Sequence, residues 1–220
     1  MFSINPRLKC VVNDTDTELI NFFQQVKKNP NKIINGYNLM VRSQPTKEQY
    51  NTIIEQYKSK NETPEKKAIL YFFYNKYYGL RKGLFPLGRN NKEIDIEKFN
   101  TFFDWISKTE FTNEDYTKVL AKYKQNKNAF IFLDPPYFDS FNNYYMSYND
   151  GFKDSVIVDN TVMYIDILNF IKNTKNKTML IINKNAITDH IYGNYTVGIY
   201  DKVYQMTKKK TQHIIVCNYK

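Results

Sequence analysis

The sequence is poor in the residue types that form covalent and metal cross-links. Among its 220 residues are two cysteines, Cys10 and Cys217, at opposite ends and without metal-ligand spacing. The two histidines, His190 and His213, do not complete a zinc set. These scarcities exclude a disulfide-stapled scaffold and predict an intracellular, reduced protein that binds no metal.

Long apolar runs are also missing. No run approaches the roughly 20 residues that a membrane span needs, and the first residues lack the basic-then-apolar layout of a signal peptide. With 42% hydrophobic residues, the chain can still bury the core of one compact domain with a small insertion. We therefore expect a soluble globular protein of the cytoplasm or nucleus, with no membrane partner.

Negative charge is the scarcer sign. The 32 lysines and arginines exceed the 22 aspartates and glutamates, which gives a formal net charge of +10 at pH 7. Such an excess favours a polyanionic partner. An AT-rich coding genome would enrich lysine, asparagine, tyrosine and isoleucine whatever the protein does, so the charge permits nucleic-acid binding without requiring it. The arginines are few: Arg7, Arg42, Arg81 and Arg89.

One stretch has a residue order that core packing or an ordinary turn does not readily explain. Residues 129–133 are apolar, with β-branched and aromatic members, and predict a central strand buried on both faces. Asp134-Pro135-Pro136-Tyr137 follows at once, and its two prolines fix φ and remove two backbone donors. The strand must therefore stop, with Asp134 and Tyr137 at its carboxyl end, where open α/β sheets bind ligands.

This tetrapeptide suits chemistry on the exocyclic amine of a base. The nitrogen lone pair is delocalised into the ring, and a carboxylate that accepts the amine N–H bonds, helped by the Pro135 carbonyl, favours a nucleophilic nitrogen. The face of Tyr137 can stack on a base that has been flipped out of a duplex. The alternative is a strand followed by a Pro-Pro turn with a surface aspartate.

A second acidic position follows another predicted strand, residues 8–12. Asp14 and Asp16 lie between this strand and a predicted helix, where nucleotide-binding α/β folds bond a ribose hydroxyl. The alternative is that both aspartates only cap the helix.

The rest of the chain alternates between helical and strand patterns. Residues 29–38 look polar and turn-like. Helices are predicted for residues 46–60, from 63 to about 77, through much of 93–120, and for 162–171, with strands at 178–182 and 214–217. The alternation predicts a mostly parallel sheet closed by an antiparallel hairpin.

Residues 79–91, GLRKGLFPLGRNN, interrupt the helical pattern. Three glycines and a proline alternate with Arg81, Lys82 and Arg89. A glycine-punctuated loop lets backbone approach a phosphate, and its cations can neutralise the charge. An ordinary solvated loop is the alternative.

Several blocks together resemble the Dam-type, class alpha, DNA adenine-N6 methyltransferases. Asp134-Pro135-Pro136-Tyr137 is similar to the catalytic motif of amino-methyltransferases that use S-adenosylmethionine. Residues 11–23, 68–89 and 179–219 resemble, in the family's order, its ribose-binding block, its DNA-contacting segment and its last strands. The tetrapeptide is the specific match, and the other blocks support it through order and spacing.

The resemblance implies a Rossmann-like methyltransferase fold with a small helical DNA-recognition insertion. It divides the chain into a partial cofactor-binding part (1–45), the insertion (46–125) and a catalytic part (126–220). It implies that Asp14 and Asp134 bind S-adenosylmethionine, and that the tetrapeptide acts on adenine. It also assigns DNA contact to four residues: Arg81, Lys82, Arg89 and Tyr148.

The family's glycine-rich cofactor turn is missing, because no glycine precedes Gly36. We therefore expect an N-terminally truncated version of the fold. Three explanations stay open: a fragment or alternative-start product, a degenerate methyltransferase that binds nucleic acid without catalysis, or an enzyme completed by a second protein chain. An RNA or cytosine amino-methyltransferase would share the tetrapeptide and is a further alternative.

Overall fold

The computed structural model describes residues 8–59, 61–78, 92–137, 161–203 and 210–219. The chain divides into two units, Met1–Tyr116 and Thr117–Lys220. The first contains β1 (Cys10–Asn13), α1 (Thr17–Lys28), α2 (Pro30–Arg42), α3 (Lys47–Lys58), α4 (Pro64–Tyr78), α5 (Asn100–Lys108) and β2 (Thr109–Thr112). Then come α6 (Tyr116–Tyr123), β3 (Phe130–Leu133), α7 (Thr161–Asn173), β4 (Lys177–Asn183), α8 (Ala186–Tyr192), β5 (Thr196–Val203) and β6 (Lys210–Cys217).

The first unit places helices around a two-stranded parallel sheet. β1 pairs with β2 so that Cys10 lies opposite Thr109 and Asn13 opposite Thr112. Helix α1 begins where the Asp16 carboxylate accepts the main-chain N–H bonds of its first turn, and its apolar face enters the core. The buried core residues are Ile20, Val26, Ile33, Ala68, Ile106 and Phe111.

The prediction of a turn at residues 29–38 is wrong, because α2 occupies them. Asn29 caps the helix by accepting the Lys32 N–H, and Pro30 stands at the first position, where its missing donor costs nothing. Asn38, which looked like a turn residue, is buried and exchanges two hydrogen bonds with the main chain of Ile94. Hydrogen bonds to a distant part of the chain therefore stabilise the buried Asn38 within the helix.

Strand β2 lies within residues 93–120, for which the sequence predicted helices. The region is helical through α5, and four residues of β2 then run beside β1. Phe111 is the buried apolar anchor of this strand, and its ring stacks on Phe23 at a centroid separation of 5.1 Å. So short a strand gives little periodic signal. The segment assigned to a helical insertion, residues 46–125, therefore also contributes a strand to the sheet.

The second unit is a four-stranded mixed sheet in the order β3-β4-β6-β5. β3 and β4 are parallel, whereas β4–β6 and β6–β5 are antiparallel. The predicted helix at 162–171, the strands at 178–182 and 214–217, and the closing hairpin are confirmed. Of the three strand pairs in this sheet, one is parallel and two are antiparallel, so the described part of the sheet is not mostly parallel. Helices α7 and α8 cover a core of Tyr164, Ile167, Ile171, Leu180, Ile182, Tyr192, Ile214 and Val216.

The prediction that residues 129–133 form a strand buried on both faces is wrong. β3 is at the edge of the described four-stranded sheet, where β4 is its paired neighbour. Phe130 and Phe132 are 56% and 37% exposed. An apolar run predicts a strand, but it does not show whether both faces of the strand are buried or whether both of its edges are paired.

Candidate functional site

The tetrapeptide lies where the sequence placed it, directly after β3. Asp134 is exposed, and Pro135, Pro136 and Tyr137 are half-buried. Because β3 and β4 are parallel, the carboxyl end of β4 at Asn183 is at the same edge of the sheet. The motif is thus a short extended segment at the carboxyl edge of a parallel strand pair, the position at which α/β proteins bind ligands.

The ring of Tyr137 is fixed by two residues of the β5–β6 hairpin. The His213 ring meets it edge-on, with a centroid separation of 5.1 Å and an interplanar angle of 85°. The Lys202 ammonium donates a hydrogen bond to the Tyr137 hydroxyl at 3.3 Å and lies 5.8 Å from the ring centroid. An edge-on aromatic contact and a nearby cation both favour one ring orientation. Sequence reasoning identified Tyr137 but neither of these two supports.

His213 is fully buried behind Tyr137. Its Nδ1 is 3.4 Å from the Tyr200 hydroxyl, and the two rings lie 5.4 Å apart. Burial lowers the pKa of His213, the Lys202 charge lowers it further, and the Asp134 carboxylate acts in the opposite direction. The neutral imidazole is therefore the form that the fold favours. His213 therefore contacts the Tyr137 ring and interacts electrostatically with the Asp134 carboxylate.

The lowered pKa of His213 predicts an acid-sensitive fold. Histidine in the unfolded chain has a pKa near 6.5. Below that pH the unfolded chain binds a proton, whereas the folded protein keeps a neutral imidazole. Stability therefore falls as the pH falls through the lower pKa of the folded state. We expect the urea-measured free energy of unfolding to drop more steeply between pH 7.5 and pH 5 in the wild type than in His213→Gln. All other titratable groups are common to both proteins, so equal slopes would contradict the prediction.

The carbonyl of Pro136 is also held in place. The Tyr164 hydroxyl of α7 donates to it at 2.7 Å. The Tyr192 hydroxyl of α8 in turn donates to the main-chain oxygen of Tyr164, also at 2.7 Å. Tyr164 was predicted only as part of an amphipathic helix. Helical spacing marks it as a core residue but does not reveal where its hydroxyl points.

Asp14 and Asp16 have different roles in the first unit. Asp16 is the cap of α1, because its Oδ1 accepts the N–H bonds of Glu18 and Leu19 at 2.9 and 3.0 Å. Asp14 is half-buried at the carboxyl end of β1, and its Oδ1 accepts the N–H of Asp16 at 2.8 Å. The alternative that both aspartates are helix caps is therefore wrong for Asp14. The N–H of Asp14 also donates to the Thr112 carbonyl, which ties it to β2.

Tyr71 is a neighbour of these acids that the sequence did not single out for function. Burial raises its pKa, and the carboxylates of Asp16, Asp14 and Glu18 raise it further. Its hydroxyl therefore stays protonated and remains available as a donor. Its ring packs against Phe22 at a centroid separation of 5.7 Å.

The structure does not test the roles predicted for the DNA-contacting residues. Arg81, Lys82, Arg89 and Tyr148 lie outside the described residues. Asp14 belongs to the first unit and Asp134 to the second, and each is described within its own unit.

A concave surface of about 730 Å³ lies elsewhere in the first unit. Lys9 and Lys108 immediately precede β1 and β2, so this surface is at the amino end of the strands, opposite Asp14. Lys9 pairs with Glu110, and Lys108 pairs with Asp104. The positive charge of this surface is therefore partly neutralised. In this unit, the carboxyl end of the strands, where Asp14 lies, remains the better candidate site.

Two negative observations apply to the described parts of the chain. No cluster of three or more histidine, cysteine, aspartate or glutamate side chains in them could hold a metal ion. None of the described helices combines the length and the apolar composition that a membrane-spanning segment requires.

The structure is that of a mixed α/β protein with an Asp-Pro-Pro-Tyr segment at the carboxyl end of a parallel strand. Residues 1–208 match the profile of the D12 class N6 adenine-specific DNA methyltransferases. The chain belongs to that family. This confirms the resemblance at the level of the N6-adenine class, whereas the Dam-type subgroup stays a prediction.

One relative is the Type II methyltransferase M.CviBI of Paramecium bursaria Chlorella virus NC1A. It is 25% identical over 169 residues, which cover 66% of this chain and 60% of the relative. The chain thus spans about 60% of the length of this relative.

Proposed function

We propose that this chain transfers a methyl group from S-adenosylmethionine to the N6 amine of adenine in DNA. The observation that carries the proposal is the position of Asp134-Pro135-Pro136-Tyr137, directly after β3 and with Tyr137 held by His213 and Lys202. Membership of the N6 adenine-specific family supports the choice of base. DNA is accordingly the proposed partner.

The tetrapeptide offers hydrogen-bond acceptors, and its two prolines, between Asp134 and Tyr137, carry no main-chain N–H donor. The Asp134 carboxylate and the Pro135 carbonyl would accept the two N–H bonds of the adenine amine, which favours a tetrahedral nitrogen with an available lone pair. S-adenosylmethionine supplies an electrophilic methyl group on sulfonium sulfur. Formation of the bond between the nitrogen and this methyl carbon would break the methyl–sulfur bond and leave a neutral thioether, and Asp134 or water would accept the proton that the nitrogen loses. No metal is needed for this step.

Tyr137 would stack on the adenine after it leaves the duplex. Its half-buried ring is held edge-on by His213, so one ring face can be offered to a base without reorganisation. Pre-orientation matters because flipping a base already costs a few kcal/mol in lost stacking and pairing. The proposed DNA contacts, Arg81, Lys82, Arg89 and Tyr148, rest on the resemblance to the family.

Asp14 would hold the ribose of the cofactor. Its position between β1 and α1 supports this, since a half-buried carboxylate at that point is a ready acceptor for ribose hydroxyls. The three divisions at 1–45, 46–125 and 126–220 remain a proposal for how cofactor binding, DNA recognition and catalysis are shared along the chain.

Calorimetric titration with S-adenosylmethionine tests this assignment. Asp14→Ala is expected to weaken binding by about 10-fold or more, because a hydrogen bond to a charged group is worth about 1.5–3 kcal/mol. Asp16→Ala is the matched control. Loss of its cap should cost about 1 kcal/mol of folding stability and change cofactor affinity less than about 3-fold. Equal weakening in both variants would contradict a ribose role for Asp14.

The second candidate is a methyltransferase-like subunit that binds nucleic acid without catalysis, or that works only when a second chain completes its cofactor pocket. It is the alternative reading of the sequence, in which residues 1–35 include no glycine. The same titration separates the candidates. Micromolar binding supports the first, and no binding up to millimolar cofactor supports the second.

A further inference from the structure

The main chain of the proposed catalytic tetrapeptide can be anchored in few ways. Pro135 and Pro136 have no N–H, so carbonyl oxygens are the main-chain atoms that a neighbour can hold between Asp134 and Tyr137. The Tyr164 hydroxyl uses one of them, donating to the Pro136 carbonyl at 2.7 Å. The Tyr164 side chain is fully buried, so water competes poorly for this bond.

Tyr164 is itself well fixed. It belongs to the core cluster that packs α7 and α8 on strands β4 and β6. The buried Tyr192 hydroxyl donates to its main-chain oxygen at 2.7 Å. Tyr164 therefore links the tetrapeptide to the core of its unit, and the Tyr192 hydrogen bond contributes to the stability of that core.

This link determines where the neighbouring carbonyl points. The ring of Pro136 locks its φ, and the peptide bond between Pro135 and Pro136 is planar. With φ locked, ψ of Pro136 is the torsion left between the two carbonyls, and the hydrogen bond from Tyr164 to the Pro136 carbonyl restrains it. The direction of the Pro135 carbonyl therefore has little freedom.

We infer that Tyr164 is a positioning residue: by holding the Pro136 carbonyl, it aims the Pro135 carbonyl at the amine that is to be methylated. The inference rests on the proposed function. It assigns the Tyr164 hydroxyl a role in the rate of transfer, whereas the Tyr192 hydroxyl serves the fold.

Steady-state kinetics on Tyr164→Phe and Tyr192→Phe separate the two roles. Each substitution removes one buried hydroxyl and keeps the ring. Tyr164→Phe is expected to lower kcat about 10-fold, because a small misplacement of reacting groups is costly, with KM for DNA within about 2-fold. Tyr192→Phe should lower the urea midpoint while keeping kcat within about 2-fold of the wild type.

Two kinetic results would overturn the inference. One is a wild-type kcat in Tyr164→Phe. The other is an equal fall in kcat in both variants, in step with their stability. A wild type that transfers no methyl group would instead reject the proposed function, so the two failures are distinguishable.

A spectroscopic measurement tests the geometry without activity. Pro136-Tyr137 is the single Pro-Tyr pair in the sequence, so labelling proline with carbonyl ¹³C and tyrosine with ¹⁵N gives one carbonyl-to-amide correlation. The Pro136 carbonyl resonance should move upfield in Tyr164→Phe and stay close to its wild-type position in Tyr192→Phe. An unmoved resonance in Tyr164→Phe would show that this hydroxyl does not hold the motif.

Discussion

Replacing Asp134 by alanine is expected to lower kcat for methyl transfer at least 10-fold, and about 10²–10³-fold if its carboxylate is the main acceptor for the amine protons. The reason is local. Asp134 follows β3 directly and is exposed at the sheet edge, so its removal deletes an acceptor without emptying a packed core position. The steady-state rate of labelled-methyl transfer at saturating DNA and cofactor measures the effect.

Two further variants sharpen this prediction. Asp134→Asn keeps one carbonyl acceptor but adds an N–H donor, so its rate should fall between those of the wild type and alanine. Asp201→Ala removes an exposed carboxylate on β5 of the same unit and is the matched control. If Asp134→Ala and Asp201→Ala had the same rate, the carboxylate would not take part in the chemistry.

Replacing Tyr137 by alanine is expected to lower kcat/KM on DNA about 5- to 150-fold, because base–aromatic stacking is worth about 1–3 kcal/mol. The ring is half-buried and braced by His213, so its loss also removes the surface on which the flipped base would rest. Competition kinetics against the wild type on one DNA substrate would measure the ratio.

Tyr137→Phe is the control for this effect. It keeps the ring and its edge-on contact with His213 but loses the hydroxyl to which Lys202 donates. Activity should stay within about 3-fold of the wild type, because stacking depends on the ring face. If phenylalanine were as damaging as alanine, the hydroxyl would carry the function, and the stacking role would be wrong.

The sequence was sufficient for the location of the tetrapeptide because its prolines act locally. They end β3 at Leu133 whatever surrounds it, and so Asp134 is at the end of a strand. Asp14 was located for a similar reason, since a strand, an acid and a capped helix follow one another within a few residues. Such local features can be predicted from the sequence because they do not depend on which distant segments pack against them.

Long-range features were not accessible in the same way. The exposure of Phe130 and Phe132 depends on which strands pair with β3, and the burial of Asn38 depends on the main chain of Ile94, far along the chain. His213 and Lys202 support Tyr137 only because the β5–β6 hairpin brings them there. No periodicity within either strand signals this.

The identity of the methylated nucleoside tests most directly whether the chain methylates adenine N6 in DNA. The purified chain would be incubated with S-adenosylmethionine carrying a deuterated methyl group and with unmethylated DNA, with an equal mass of RNA in parallel, before enzymatic digestion and mass spectrometry. Deuterated N6-methyldeoxyadenosine is expected from DNA, strongly reduced in Asp134→Ala. Deuterated N4-methyldeoxycytidine, label in RNA alone, or no labelled nucleoside from a chain that binds the cofactor would contradict it.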